Sequence, residues 1–147
     1  MNRFLVDEEP VATLEEARSI VEFYTADASG TRSRWVITTA ADGEPIGTCG
    51  FHLRSFAHHR AEVGYDLAPA WWGQGLMHEA LVALLRHGTD TMGLHRISAC
   101  VHVDNVASLR LAERLGFVRE GIARDLFSDG SRYHDHWMLA RLAGDQP

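Results

Sequence analysis

The middle of this sequence constrains its fold most. Arg60 to Leu67 alternates as a strand, with Ala61, Val63, Tyr65 and Leu67 on one face and Glu62, Gly64 and Asp66 on the other. Pro69 to Gly75 is a turn bearing Gly and Trp. In the helix that follows, Met77, Ala80, Leu81, Leu84 and Leu85 recur at i, i+3, i+4, i+7 and i+8, the spacing of one buried helical face. Gly88 and Gly93 bracket its end, and Arg96 to Val103 alternates as the next strand. A strand, a helix and a strand in this order form a crossover unit, which places parallel pairing inside the sheet.

The flanks are of a different kind. Thr13 and Glu16 have capping-box spacing ahead of a helix with Leu14, Ala17, Val21 and Tyr24 on one face. Arg34 to Ala40 and Pro45 to Leu53 are strands joined at Asp42-Gly43, a hairpin signal. Ser55 to His59 then turns the chain into Arg60–Leu67, completing an antiparallel meander. Further on, Asp104-Asn105 caps a helix whose inner face is Ser108, Leu111, Ala112 and Leu115, and Gly116 ends it. Phe117 to Phe127 and Arg132 to Arg141 are strands around a Ser128-Asp129-Gly130 turn. The order α-β-β-β-α-β-α-β-β predicts an α+β fold: a mixed, mainly antiparallel sheet with a central β-α-β unit and flanking helices. Residues 1–147 read as a single domain.

Composition excludes several functions. With 46% apolar and 23% charged residues, the chain is neither disordered, collagen-like nor a coiled coil. Its net charge of −6 lacks the basic footprint of a nucleic-acid binder and mildly favours cationic or amine partners. No apolar run approaches the roughly 20 residues of a membrane span, and Met1–Pro10 is too polar for a signal peptide. Cys49 and Cys100 stand far apart without metal spacing and read as reduced thiols of a cytoplasmic protein.

Three constellations carry chemistry. Trp72-Gly73-Gln74-Gly75-Leu76-Met77 lies between a strand and a helix. Glycines allow a ligand close to the backbone, and the free N–H groups of a helix start attract a pyrophosphate. The motif is neither a Walker loop nor a complete dinucleotide fingerprint, and a tight turn explains it as well. In Asn105-Val106-Ala107-Ser108, Asn105 is a helix cap, while Ser108 points a hydroxyl inward, either to a ligand or back to its own helix. Glu62 is a general-base candidate if it borders a cleft, and a solvated strand residue otherwise. Nine histidines include the close pairs His58/His59 and His134/His136, but no carboxylate or cysteine cluster completes a metal site.

Together these stretches resemble the GCN5-related N-acetyltransferases. The resemblance runs through Ala61-Glu62-Val63-Gly64-Tyr65-Asp66-Leu67, Trp72 to Leu81, Leu94-His95-Arg96-Ile97, Asp104-Asn105-Val106-Ala107-Ser108, Leu115-Gly116-Phe117 with Glu120-Gly121, and Tyr133-His134-Asp135. It is strong over about residues 60–141 and loose over 11–59, and the most similar branch is the RimJ/RimL-like group. It implies acetyl transfer from acetyl-CoA to a primary amine, either a protein N-terminus or a small molecule, by direct attack. The amides of Trp72, Gly73, Gln74, Gly75, Leu76 and Met77 would hold the pyrophosphate. Asn105 would bond the pantetheine, lying where the two central strands splay. Ser108 would sit near the sulfur and protonate the thiolate, and Glu62 would be the base. No metal is implied. The alternative is a non-catalytic acyl-CoA-binding or interaction module of the same fold.

Three departures stand out. Trp72 replaces the family's arginine or glutamine, and Met77 its small residue. The tyrosine that serves many relatives as an acid falls at Ala112, and a carboxylate of some relatives falls at Phe127, leaving Glu62 or Asp66 as base. The usual first strand is missing, since Met1-Asn2-Arg3 aligns inside the family's first helical region. The Arg34–Ala40 strand is then an edge, left open or covered by Met1–Asp7 or by a second chain in a homodimer.

Overall fold

The computed structural model of the chain describes Phe4 and residues 11–145. Helix α1, Leu14–Thr25, starts at the expected capping box: Thr13 Oγ1 accepts the Glu16 amide, and the Glu16 carboxylate accepts the Thr13 amide. Its expected inner face is only half realised. Ala17 and Tyr24 are half-buried, whereas Leu14 and Val21 are 69% and 60% exposed. Periodicity selects a face of a helix, but burial depends on what the tertiary structure lays beneath it.

Six strands form one sheet: β1 (Ser33–Thr38), β2 (Pro45–Ser55), β3 (Arg60–Leu67), β4 (Arg96–His102), β5 (Val118–Ser128) and β6 (Tyr133–Leu142). Their order is β1-β2-β3-β4-β6-β5, antiparallel throughout except for β3 and β4, which are parallel. This is the mixed, mainly antiparallel sheet with a central crossover that the element order implies. A 3-10 turn, Pro69–Trp71, and helix α2, Leu76–Asp90, make the crossover, and α3, Val106–Arg114, follows β4.

One face of the sheet holds the core. Phe51, Ala61, Val63, Ile97, Ala99, Val101 and Leu139 pack there with Met77, Leu81, Leu84 and Leu85 of α2 and Leu109 and Ala112 of α3. Gly88 and Gly93 bracket the end of α2 at Asp90 as expected, and Gly88 is buried within the last turn, against Phe51. One expectation is corrected. On α3 the buried positions are Leu109 and Ala112, with Leu115 just beyond, while Ser108 and Leu111 are half-buried. The buried stripe thus keeps the expected Ala112 and Leu115 and adds Leu109.

Gly116 ends α3 as expected. With φ at 83°, it donates to the Glu113 carbonyl while Phe117 donates to that of Ala112, a paired closure of the helix end. β1 pairs with β2 alone among the described residues. Phe4 does not run along that edge: its ring lies 5.2 Å from His102 on β4. The rest of Met1–Asp7 lies outside the described residues. Cys49 is buried in the core and is not linked to Cys100 by a disulfide. No helix among the described residues is long and apolar enough to cross a membrane.

Candidate active site

The two central strands hold each other over three positions only: Arg60 with Arg96, Ala61 with Ile97, and Glu62 with Ser98. Beyond that rung both strands continue, β3 to Leu67 and β4 to His102, without pairing to one another. A buried peptide group needs a partner, so a gap of this kind in mid-sheet is a place for a ligand to supply one. The sheet meanwhile stays continuous through β2 on one side and β6 on the other.

Strand alternation sends side chains to opposite sides of this opening. Toward the helices, Tyr65 reaches Ser108 of α3, with Oη and Oγ 2.7 Å apart. Burial pushes the Tyr65 hydroxyl pKa above its ordinary value, with the Ser108 bond opposing. The phenol is therefore a neutral donor across the physiological range. Ser108 is inward-facing as its position predicts, and its hydroxyl meets Tyr65 and not its own helix. The sequence places Tyr65 on one strand face with Ala61, Val63 and Leu67 and gives it no role. The available signal was that a tyrosine on a buried face needs a partner for its hydroxyl, as did Ser108.

Asn105 is the expected cap: its Oδ1 accepts the Ser108 amide at 3.1 Å. That leaves its Nδ2 amide able to donate, and it meets no acceptor among the described residues.

At the end of β3 the chain enters the glycine loop. The Trp72 indole turns back and donates to the Leu67 carbonyl at 2.7 Å, and the Gln74 amide donates to that of Ala70 at 3.3 Å. Gly73 and Gly75 have φ of 74° and 80°, a backbone that favours glycine, and no atom lies within 4 Å of a Cβ built at either. The turn thus demands glycine for its conformation and not to relieve crowding, and space remains over it. Leu76 opens α2, whose first N–H groups have no carbonyl within the helix. Met77 contributes backbone alone to this surface, because its side chain is in the core.

The other side of the opening carries Glu62, on the last paired rung, with Oε1 3.1 Å from His52 Nε2. Asp66, four residues on along the same strand face, is engaged by the Arg34 guanidinium and the Thr48 hydroxyl. Of the two candidate bases, Glu62 stands at the opening and Asp66 is committed to a cation.

The histidines sort differently from their sequence spacing. His102, His134 and His136 pack together, with His102 Nε2 3.1 Å from His134 Nδ1 and His134 Nε2 2.7 Å from the Asp129 carboxylate. Among the described residues no three His, Cys, Asp or Glu groups converge as metal ligands do. His59 serves the turn before β3, its carbonyl accepting the amides of His95 and Arg96.

Comparison with known proteins agrees with this architecture. The family described as an Acetyltransferase (GNAT) domain matches residues 1–118. The uncharacterized N-acetyltransferase YoaA of Bacillus subtilis is 36% identical over 127 residues, 85% of this chain and 72% of its own length. The [ribosomal protein uS5]-alanine N-acetyltransferase of Escherichia coli is 36% identical over 103 residues, 69% of this chain and 53% of its own. Among solved structures, spermidine N-acetyltransferase from Vibrio cholerae, in complex with CoA and spermine, superposes with a TM-score of 0.83 at 25% identity, covering 94% of this chain and 80% of that one. A split parallel pair in mid-sheet, a glycine loop opening the crossover helix and a match over most of the chain have one common source: this protein belongs to the GNAT family and is an N-acetyltransferase.

Proposed function

We propose that the chain transfers an acetyl group from acetyl-CoA to a primary amine by direct attack, with the reacting carbon in the opening between β3 and β4. The observation that carries this reading is the separation of the strands beyond Glu62 and Ser98, with the Tyr65–Ser108 pair on one side and Glu62 on the other. Acetyl-CoA is the family's acyl donor, and the groups around the opening suit it. Backbone amides from Trp72 to Met77 would take the pyrophosphate, with space over Gly73 and Gly75 to admit it. The pantetheine amides would pair with the free edges like an added strand, and Asn105 Nδ2 would donate to one of their carbonyls.

In the reaction the acceptor ammonium gives a proton to Glu62, and the freed lone pair attacks the thioester carbonyl. The oxyanion meets a backbone N–H of the parted strands. As the C–S bond breaks, Ser108 protonates the thiolate and takes a proton from Tyr65, and the second proton of the attacking nitrogen, released as the amide forms, passes through solvent to restore Tyr65. The acid role of the missing helical tyrosine at Ala112 is thereby filled from the neighbouring strand.

The acceptor is a primary amine of a peptide N-terminus or a small molecule. Asp66, already met by Arg34, offers no second cation site on β3, which favours an acceptor with one ammonium group. The test is thermal unfolding with acetyl-CoA or ATP, followed by transfer to alanine- and serine-terminated peptides and to spermidine. Acetyl-CoA at 100 times its dissociation constant should stabilise by about 2.7 kcal/mol, and ATP should not. Ser108→Ala should cut transfer by about tenfold or more. Full activity in that variant sinks the assignment of Ser108, and no response to acetyl-CoA sinks the whole reading.

A further inference from the structure

We propose that His52 is a positioning residue for acetyl transfer, holding the Glu62 carboxylate so that one oxygen is tethered and the other faces the acceptor amine. This rests on Glu62 as proton acceptor, as read above.

The register of β2 on β3 sets His52 directly across from Glu62, and His52 Nε2 lies 3.1 Å from Glu62 Oε1. Oε2 accepts no hydrogen bond from the described residues. Cross-strand neighbours on one face touch by necessity, but two further features are built around this pair. First, the imidazole lies along β3 over Gly64. A Cβ at Gly64 would stand 3.3 Å from His52 Cε1 and 3.2 Å from Arg34 Nη1, so any larger residue would crowd the ring. Second, the ladder breaks immediately after His52 and resumes only at Ser55 with Arg60. Within the break Leu53 has φ of 51° and is 72% exposed, so its own packing does not offset the strained backbone. A bulge re-aims the side chains beside it, and this one follows His52.

The same strand face provides a contrast. Asp66 is held by a guanidinium, which brings a full positive charge, and by Thr48. Glu62 is held by a single imidazole N–H at one oxygen. The first arrangement neutralises a carboxylate; the second orients one. In the step this serves, an N–H bond of the ammonium breaks and an O–H bond forms on Glu62 Oε2. The electron pair stays on nitrogen and attacks the thioester, while His52 keeps its proton throughout. After the amide product leaves, Glu62 loses its proton to water.

The test uses His52→Leu, His52→Gln, His52→Asn, Glu62→Gln and the double variant His52→Leu/Glu62→Gln, assayed with acetyl-CoA and the same three amines. His52→Leu should lower kcat about tenfold and leave KM for acetyl-CoA within about twofold. His52→Gln, whose amide reaches Oε1, should stay within about threefold of the parent chain, and the shorter His52→Asn should not. In the Glu62→Gln background, His52→Leu should cost less than about twofold, because the group it positions is gone. An equal loss in both backgrounds makes His52 merely structural and overturns the proposal, as does full activity in His52→Leu. If His52→Leu does not fold, the Gln and Asn variants decide, and equal activity in those two overturns it. If the parent chain acetylates none of the amines, the function proposed above fails and takes this inference with it. If the parent is active and Glu62→Gln is unimpaired, this inference fails together with Glu62 as the base, while acetyl transfer itself stands.

Discussion

The Tyr65 and Ser108 hydroxyls meet across 43 positions of sequence, where β3 and α3 pack. Tyr65→Phe should lower acetyl transfer about tenfold while retaining the acetyl-CoA-induced rise in melting temperature, since it removes a proton donor but no cofactor contact. Because burial pushes the Tyr65 hydroxyl upward, activity should show no loss from its ionisation as pH rises through the ordinary tyrosine range near 10. Gly88 is the opposite case, a residue whose role is space. A Cβ there would meet Phe51 Cζ at 2.7 Å, and Phe51 is 1% exposed with nowhere to go. Gly88→Ala gains about 1 kcal/mol of helix propensity. It loses about 1–3 kcal/mol to overpacking. A urea titration should therefore find the variant less stable, by about 1 kcal/mol; a stabilised variant would contradict the packing described here.

Among the elements, α3 is legible from both ends. Asn105 caps its start, and Gly116, in the left-handed region, closes its finish. The cap also separates two functions of one residue. Asn105→Ser keeps an oxygen for the Ser108 amide but removes the Nδ2 donor. Its urea midpoint should stay near that of the parent chain while its affinity for acetyl-CoA, measured by calorimetry, falls. Asn105→Ala should lose both, with stability down by about 1 kcal/mol. If Asn105→Ser binds acetyl-CoA as the parent does, the amide takes no part in holding the pantetheine. By contrast, α1 shows what periodicity leaves out. Its capping box was written in Thr13 and Glu16, but Leu14 and Val21 stay exposed because a helical stripe does not specify its own partner.

At the scale of the whole molecule, acid sensitivity has a distinct origin. His102 is buried at the end of β4, and burial, followed by the nearby His136, depresses its pKa; Asp104 opposes, and His134 and Arg132 add to the depression. A histidine that binds protons less readily when folded than when unfolded favours the folded state at high pH. Its contribution is complete above the unfolded value near 6.5 and is lost as pH falls below it. Glu120, held down by Arg96, acts with the same sign but only below its own unfolded value near 4.5. The chain should therefore melt lower at pH 5.5 than at pH 7.5, and His102→Gln should flatten that difference. An unchanged slope in the variant would place the acid sensitivity elsewhere.

The sequence by itself determined the elements, their order, the caps of α1 and α3, the glycine loop and the inward serine. Each of these is set by interactions spanning a few residues: a period of 2 or 3.6, a cap three positions away, a backbone angle that favours glycine. From the order of elements it also implied a parallel pair inside an antiparallel sheet. The tertiary structure decided where that pair stops pairing, which hydroxyl meets Ser108, and that Arg34 occupies Asp66 while His52 takes Glu62. These depend on the register between strands and on the seating of α3, fixed by the packing of the whole core rather than by any local pattern. The motif that names the chemistry was therefore readable in one dimension, and the groups that would move its protons were assembled only in three.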